Sequence, residues 1–143
     1  MAEPGSADRG EASQPDTPLL VVDAANVIGA RPDGWWRDRA AAVRRLLAAL
    51  IRRPPVDGEI VLVVEGKARD GVPPGLFDGI RVVHAPRSGD DEIVDIVRAA
   101  TAGGSRRPVT VVTADRGLRE RVTALGARIL GPRSLWEQLE AAG

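Results

Sequence analysis

The stretch LLVVDAANVIGA, residues 19–30, runs four apolar residues straight into an acid, Asp23, with an amide, Asn26, three positions on. A continuous apolar run, rather than an alternating one, reads as a strand buried on both faces. Asp23 then ends that strand. Either it is a solvated loop acid, or it is one wall of a site whose other walls lie elsewhere in the chain.

Working outward, the same pattern recurs. Residues 59–65 (EIVLVVE) form a second buried run that also ends on an acid, Glu65. Residues 79–84 (GIRVVH) and 108–113 (PVTVVT) read as third and fourth strands, and ARIL (127–130) as a short fifth. Between them lie segments of helical period. Residues 35–52 place Trp36, Ala40, Val43, Leu47, Leu50 and Ile51 on one face, and Pro54 and Pro55 stop the helix. Residues 90–102 turn Ile93, Ile96, Val97 and Ala100 inward and end at Gly103 and Gly104. ADRGLRERVTALG (114–126) and PRSLWEQLEAA (132–142) are the last helices, and Asn26–Gly34 reads as a loop. Strands alternating with helices imply an α/β fold: a mostly parallel sheet of four or five strands between helical layers, α/β/α.

Composition bounds the chemistry. The 143 residues suit one domain, expected over 18–143. Residues 1–17 are rich in Gly, Ser, Pro, Asp, Glu and Ala and read as a disordered tail. The chain has no cysteine and one histidine, His84, which excludes thiolate and multi-histidine metal sites. A metal here would need oxygen ligands, which favours Mg²⁺ or Mn²⁺. The net charge is zero; Glu3, Asp8, Glu11, Asp16 and Arg9 make the tail −3, leaving +3 carried almost wholly by arginine. Arginine suits bidentate phosphate contacts, although a GC-rich genome gives the same bias. No apolar run approaches the roughly 18 residues of a membrane span, and no apolar signal region opens the chain. A cytoplasmic protein is expected.

Parallel strands gather their C-terminal ends on one edge, where open α/β sheets bind ligands. Asp23, Glu65, the pair Asp90–Asp91 and Asp115 all fall at that edge. Singly, Asp90 and Asp115 are ordinary helix caps; together the acids raise one another's pKa unless a cation stands between them. A divalent cation held there can activate water for phosphodiester hydrolysis. Asn26 fits as a neutral neighbour that orients Asp23 or holds a phosphate, or it shapes the turn.

VVDAANVIG, GDDEIV and VTADRGL, in this order between alternating strands and helices, resemble the PIN-like nuclease superfamily, most closely its bacterial NYN-domain branch. The resemblance spans about residues 18–140. It implies a parallel α/β/α sandwich in which acids bind Mg²⁺ or Mn²⁺ and cleave phosphodiester bonds, usually in RNA. On the matching positions it implies Asp23, Asp90 and Asp115 as metal ligands, with Asn26 and Thr113 as catalytic neighbours. Asp90 matches because Ile93 follows in the D-x-x-I pattern, and Thr113 because it supplies the hydroxyl of T-x-D. Glu65 and Asp91 are further ligand candidates, although neighbours on a helix point about 100° apart, so only one of Asp90 and Asp91 faces an ion.

Arg116, Lys67, Arg69 and Arg87 lie near the expected site as phosphate-binding candidates or as solvated surface charges. His84 is read first as structural, with proton donation as the alternative. Trp36 and Trp136 are expected in the core; Trp35 packs, or stacks on a base. The competing function is a catalytically inactive PIN-like module that holds RNA or a protein partner, or a second copy of itself. A phosphatase or nucleotide-binding protein lacks support, for no Gly-rich phosphate loop is present and no D-x-D follows the first strand.

Overall fold

Strand β1 (Leu19–Asp23) lies inside a six-stranded sheet in the computed structural model, which describes residues 17–141. The expected tail falls outside the described residues except for Thr17. The strand order is β3-β4-β2-β1-β5-β6, with β2 Glu59–Val64, β3 Gly75–Phe77, β4 Ile80–His84, β5 Val109–Val112 and β6 Arg128–Leu130. All neighbours run parallel except β3, which pairs antiparallel with β4. β1 pairs in register with both β2 and β5: Val22 stands between Leu62 and Val112. The chain therefore winds outward from β1 in both directions, which opens a crevice beyond Asp23.

Each strand is apolar on both faces because each face meets helices. Leu20, Val22, Leu62, Val64 and Val112 pack with α1 (Ala24–Gly29), α2 (Arg39–Arg52) and α5 (Pro132–Glu140). Leu19, Val21, Val61, Val63, Val109 and Val111 pack with α3 (Gly89–Thr101) and α4 (Arg116–Thr123). The two sets alternate along each strand, as the two-residue pleat requires. The expected α/β/α sandwich is present, with one more strand than the five anticipated. β3 escaped notice because its three residues, GLF, lack an apolar run and are mostly exposed.

Three further expectations are corrected. The loop expected from Asn26 begins as helix α1, whose N-cap is Asp23 itself, its carboxylate accepting from the Asn26 amide at 3.4 Å. The helix expected over 35–52 starts only at Arg39: Trp35–Arg37 form a 3₁₀ turn, and Asp38, at φ −153°, caps α2 through the Ala41 amide at 3.0 Å. A three-residue turn has a different angular phase from the helix that follows it. Trp36 therefore points outward at 53% exposure, not into the core as expected. Trp136, by contrast, packs against the core as expected, half-buried, with its indole N–H donating to the Val27 carbonyl at 2.8 Å.

Candidate active site

Alternation along the strands carries past their ends. Asp23, Glu65 and Thr113 continue the odd-numbered residues of β1, β2 and β5, which face α3 and α4. The N-termini of those helices supply Asp90 and Asp115 to the same crevice. The acids are thus placed where three strand ends face two helix starts.

Asp23 is 4% exposed. Its Oδ2 accepts from Thr113 Oγ1 at 2.9 Å and from Asn26 Nδ2 at 3.0 Å. Burial pushes its carboxyl up from 3.8 to about 6. The bonds from Thr113 and Asn26 oppose that rise, and the charges of Asp90 and Glu65 add to it. Asp90 is also raised, first by burial, then by Asp115 and Glu65, with Arg121 opposing. Asp90 and Glu65 thus act on Asp23, and Asp115 and Glu65 on Asp90, across the crevice.

Thr113 and Asn26 tie the cluster together. The Thr113 hydroxyl donates to Asp23 and accepts from the Asp115 amide at 3.1 Å. The Asn26 side chain donates to Asp23 and accepts from the Ala114 amide at 3.1 Å. Both residues bind β1's terminus to the β5–α4 turn. Asp115 caps α4, with Oδ1 on the Leu118 amide at 2.8 Å. Glu65 accepts from the Gly89 amide, the first of α3. Capping and membership of the cluster coexist, because each carboxylate has a second oxygen.

Gly89 is a residue the sequence reading passed over. A Cβ there would lie 2.7 Å from Glu65 Oε1, so a larger residue would have to push the Glu65 carboxylate away from the helix start. The signal was available: a glycine between a capping serine and two acids, SGDD. Asp91 pairs instead with Arg121, Oδ1 to guanidinium at 3.2 Å, while Asp90 faces Asp115 and Glu65.

The basic candidates are spread around the rim. Lys67 lines a cavity of about 350 Å³ that includes Glu65. Arg87 lines a separate hollow with Asp91, Asp95 and Arg121. Arg116 lies on the outer side of α4 with Arg119 and Glu120. Arg69 is spent on carbonyls, its Nε on Gly66 at 3.1 Å. His84 sits 2.7 Å from the Val72 carbonyl and holds the loop before β3.

Among the described residues, no three carboxylate or imidazole groups stand close enough, as placed, to hold one ion together. The donor set nevertheless suits a hard divalent cation: it offers only oxygen, and two of its acids, Asp23 and Asp90, are raised in part by neighbouring carboxylates.

The architecture is an α/β/α sandwich around a six-stranded, mostly parallel sheet. The architecture is similar to that of Rae1 (YacP) from Bacillus subtilis, whose crystal structure superposes with a TM-score of 0.70 at 18% identity over 85% of this chain and 73% of that one. Its W164L mutant gives 0.66 at 18% identity over 86% and 75%. At that identity the likeness is one of fold. No protein-family model matches the sequence, and no curated protein matches it. No helix among the described residues is long and apolar enough to cross a membrane.

Proposed function

We propose that this protein is a metal-dependent nuclease acting on RNA. The observation that carries the reading is the placement of Asp23, Glu65, Asp90 and Asp115 at the C-terminal edge of a parallel sheet, with Asp23 buried and raised to about 6. A buried carboxylate beside other acids costs stability, and such a cost is characteristic of functional sites. The PIN-like motifs and the fold shared with Rae1 favour the same reading.

Asp23, Asp90 and Asp115 would hold Mg²⁺ or Mn²⁺, with Glu65 within reach and Asp91 directed to Arg121. When bound, the ion supplies a water of lowered pKa and charge stabilisation at the scissile phosphate. The chain's own residues prepare for this. Thr113 fixes the Asp23 oxygen and the Asp115 backbone in one step, and Asn26 holds Asp23 without adding charge. Burial of Asp23 keeps bulk water from one side of the cluster.

The test is cleavage of a fluorescent single-stranded RNA with Mn²⁺ or Mg²⁺. Cleavage should stop in EDTA, and in Asp23→Asn and Asp115→Asn proteins that retain the fold. RNA binding with neither metal uptake nor products overturns the reading in favour of an inactive binding module.

A further inference from the structure

Beside the acid crevice lies an aromatic and basic surface that the cleavage chemistry does not use. Gly34, at φ 79°, turns the chain into Trp35 and Trp36. The two indoles stand edge to face, centroids 6.0 Å apart and planes at 89°. Trp35 is half-buried and forms one wall of the 350 Å³ cavity, with Ala25, Ile28, Arg39, Gly66 and Lys67. Glu65, a member of the acid cluster, is another wall of the same cavity.

Trp36 stands outside it at 53% exposure, among the few large apolar side chains left in solvent. Guanidiniums lie over both rings: Arg39 at 5.4 Å from the Trp35 centroid and Arg37 at 5.6 Å from that of Trp36. Arg37, Arg39 and Lys67 have no carboxylate partner within 4.0 Å among the described residues.

We propose that this surface binds a single-stranded nucleic acid, stacking a base on Trp36, with Trp35 lining the adjoining cavity, and gripping its phosphates with Arg39 and Lys67. The inference rests on the nuclease reading and deepens it. An exposed indole beside a half-buried one, with guanidiniums over both rings, matches what a single strand presents: a π-face on every base and a negative charge on every link. A duplex hides those faces. A strand seated here continues toward Glu65 and so delivers its next phosphate to the acids. The cavity is at the small end of ligand-pocket volumes, about 300–1,000 Å³, and accommodates one nucleoside rather than a helix.

The experiment titrates the full chain, in EDTA so that nothing is cut, with a labelled hexauridylate, reading anisotropy and tryptophan quenching. Trp36→Ala should bind at least about 5-fold more weakly at an unchanged melting temperature, and Trp36→Phe should restore most of the affinity. Lys67→Ala should lower the slope of log affinity against log salt by about 0.7. A duplex of equal length should compete poorly. Equal binding by Trp36→Ala, equal competition by the duplex, or no binding by the parent overturns the surface assignment, the last leaving a protein partner as the occupant of the indoles. The two readings fail separately. Weaker binding by Trp36→Ala with no cleavage under any metal sinks the nuclease alone. Metal-dependent cleavage with the same KM in Trp36→Ala sinks the stacking surface alone.

Discussion

Replacing Asp23 by asparagine should make the metal-free protein more stable while abolishing its activity. The wild-type carboxyl is lifted from 3.8 to about 6 in the fold. That gap corresponds to about 3 kcal/mol against the ionised form. Between those two values the folded state keeps a proton that the unfolded chain has shed, so stability falls as pH rises through the window. Above about pH 6 the whole penalty is present; below 3.8 it is absent. Asparagine removes the charge and keeps an oxygen where Asp23 Oδ2 accepts from Thr113 and Asn26. Its NH₂ group then faces the Asn26 amide, which Oδ1 meets at 3.4 Å, at a cost of about 1 kcal/mol. The net gain at pH 7.5 is about 2 kcal/mol, or about 6–8 °C in Tm for a domain of this size. Thermal melts in EDTA at pH 7.5 and pH 4 measure it directly. At pH 4 the gain should vanish. Mn²⁺ at about 100 times its Kd should reverse the order at pH 7.5, raising the parent by about 2.7 kcal/mol and the variant hardly at all. A variant that melts no higher than the parent at pH 7.5, or that exceeds it equally at both pH values, refutes the reasoning: Asp23 would then not be a strained, ionised group awaiting a cation.

Other perturbations probe the connections around it. Thr113→Val deletes the donor to Asp23 and the acceptor for the Asp115 amide; it should raise the Asp23 pKa further, visible by carboxyl NMR titration, and cost about 1–3 kcal/mol in urea melts. Gly89→Ala should displace the flexible Glu65 carboxylate, whose Oε1 lies 2.7 Å from the new Cβ, and change stability by less than about 1 kcal/mol, because the side chain can move and alanine favours the helix; urea melts measure it. A double-mutant cycle with Glu65→Ala reads the coupling, expected at about 0.5–1 kcal/mol. Arg107→Ala, at the opposite edge, removes a guanidinium held by the Thr17 carbonyl at 2.7 Å and by Glu59; Tm should fall while cleavage at a permissive temperature persists, separating the stability edge of the sheet from the reactive one.

Those two edges also explain what the sequence revealed and what it withheld. LLVVD and EIVLVV are legible as buried parallel strands because helices cover both their faces, which leaves no room for polar residues. Parallel winding then fixes which ends meet, so the gathering of Asp23, Asp90 and Asp115 follows from chain order alone. What was harder to read depends on a residue or two of phase. GLF pairs at an edge where only backbone bonds are needed, so no apolar pattern marks it. Trp36 was assigned inward by extending the period of α2 backward through Asp38, but an acid that caps a helix resets the phase of everything before it. α1 is short and follows the strand directly: Asp23 ends β1 and at once caps the helix, so Asn26–Gly34, which reads as a loop from its Gly, Pro and Asp, opens inside a helix. Parity was the unused signal at the site. Counting by twos from Val21, Val63 and Val111 reaches Asp23, Glu65 and Thr113, all on the face of α3 and α4. That count places Glu65 in the crevice and makes Thr113 the link between β1 and α4. Physically, the pleat that buries valines up to the last strand residue aims the next polar group into the gap where the helices begin. The stability of the core and the charge conflict of the crevice are thus consequences of one repeat.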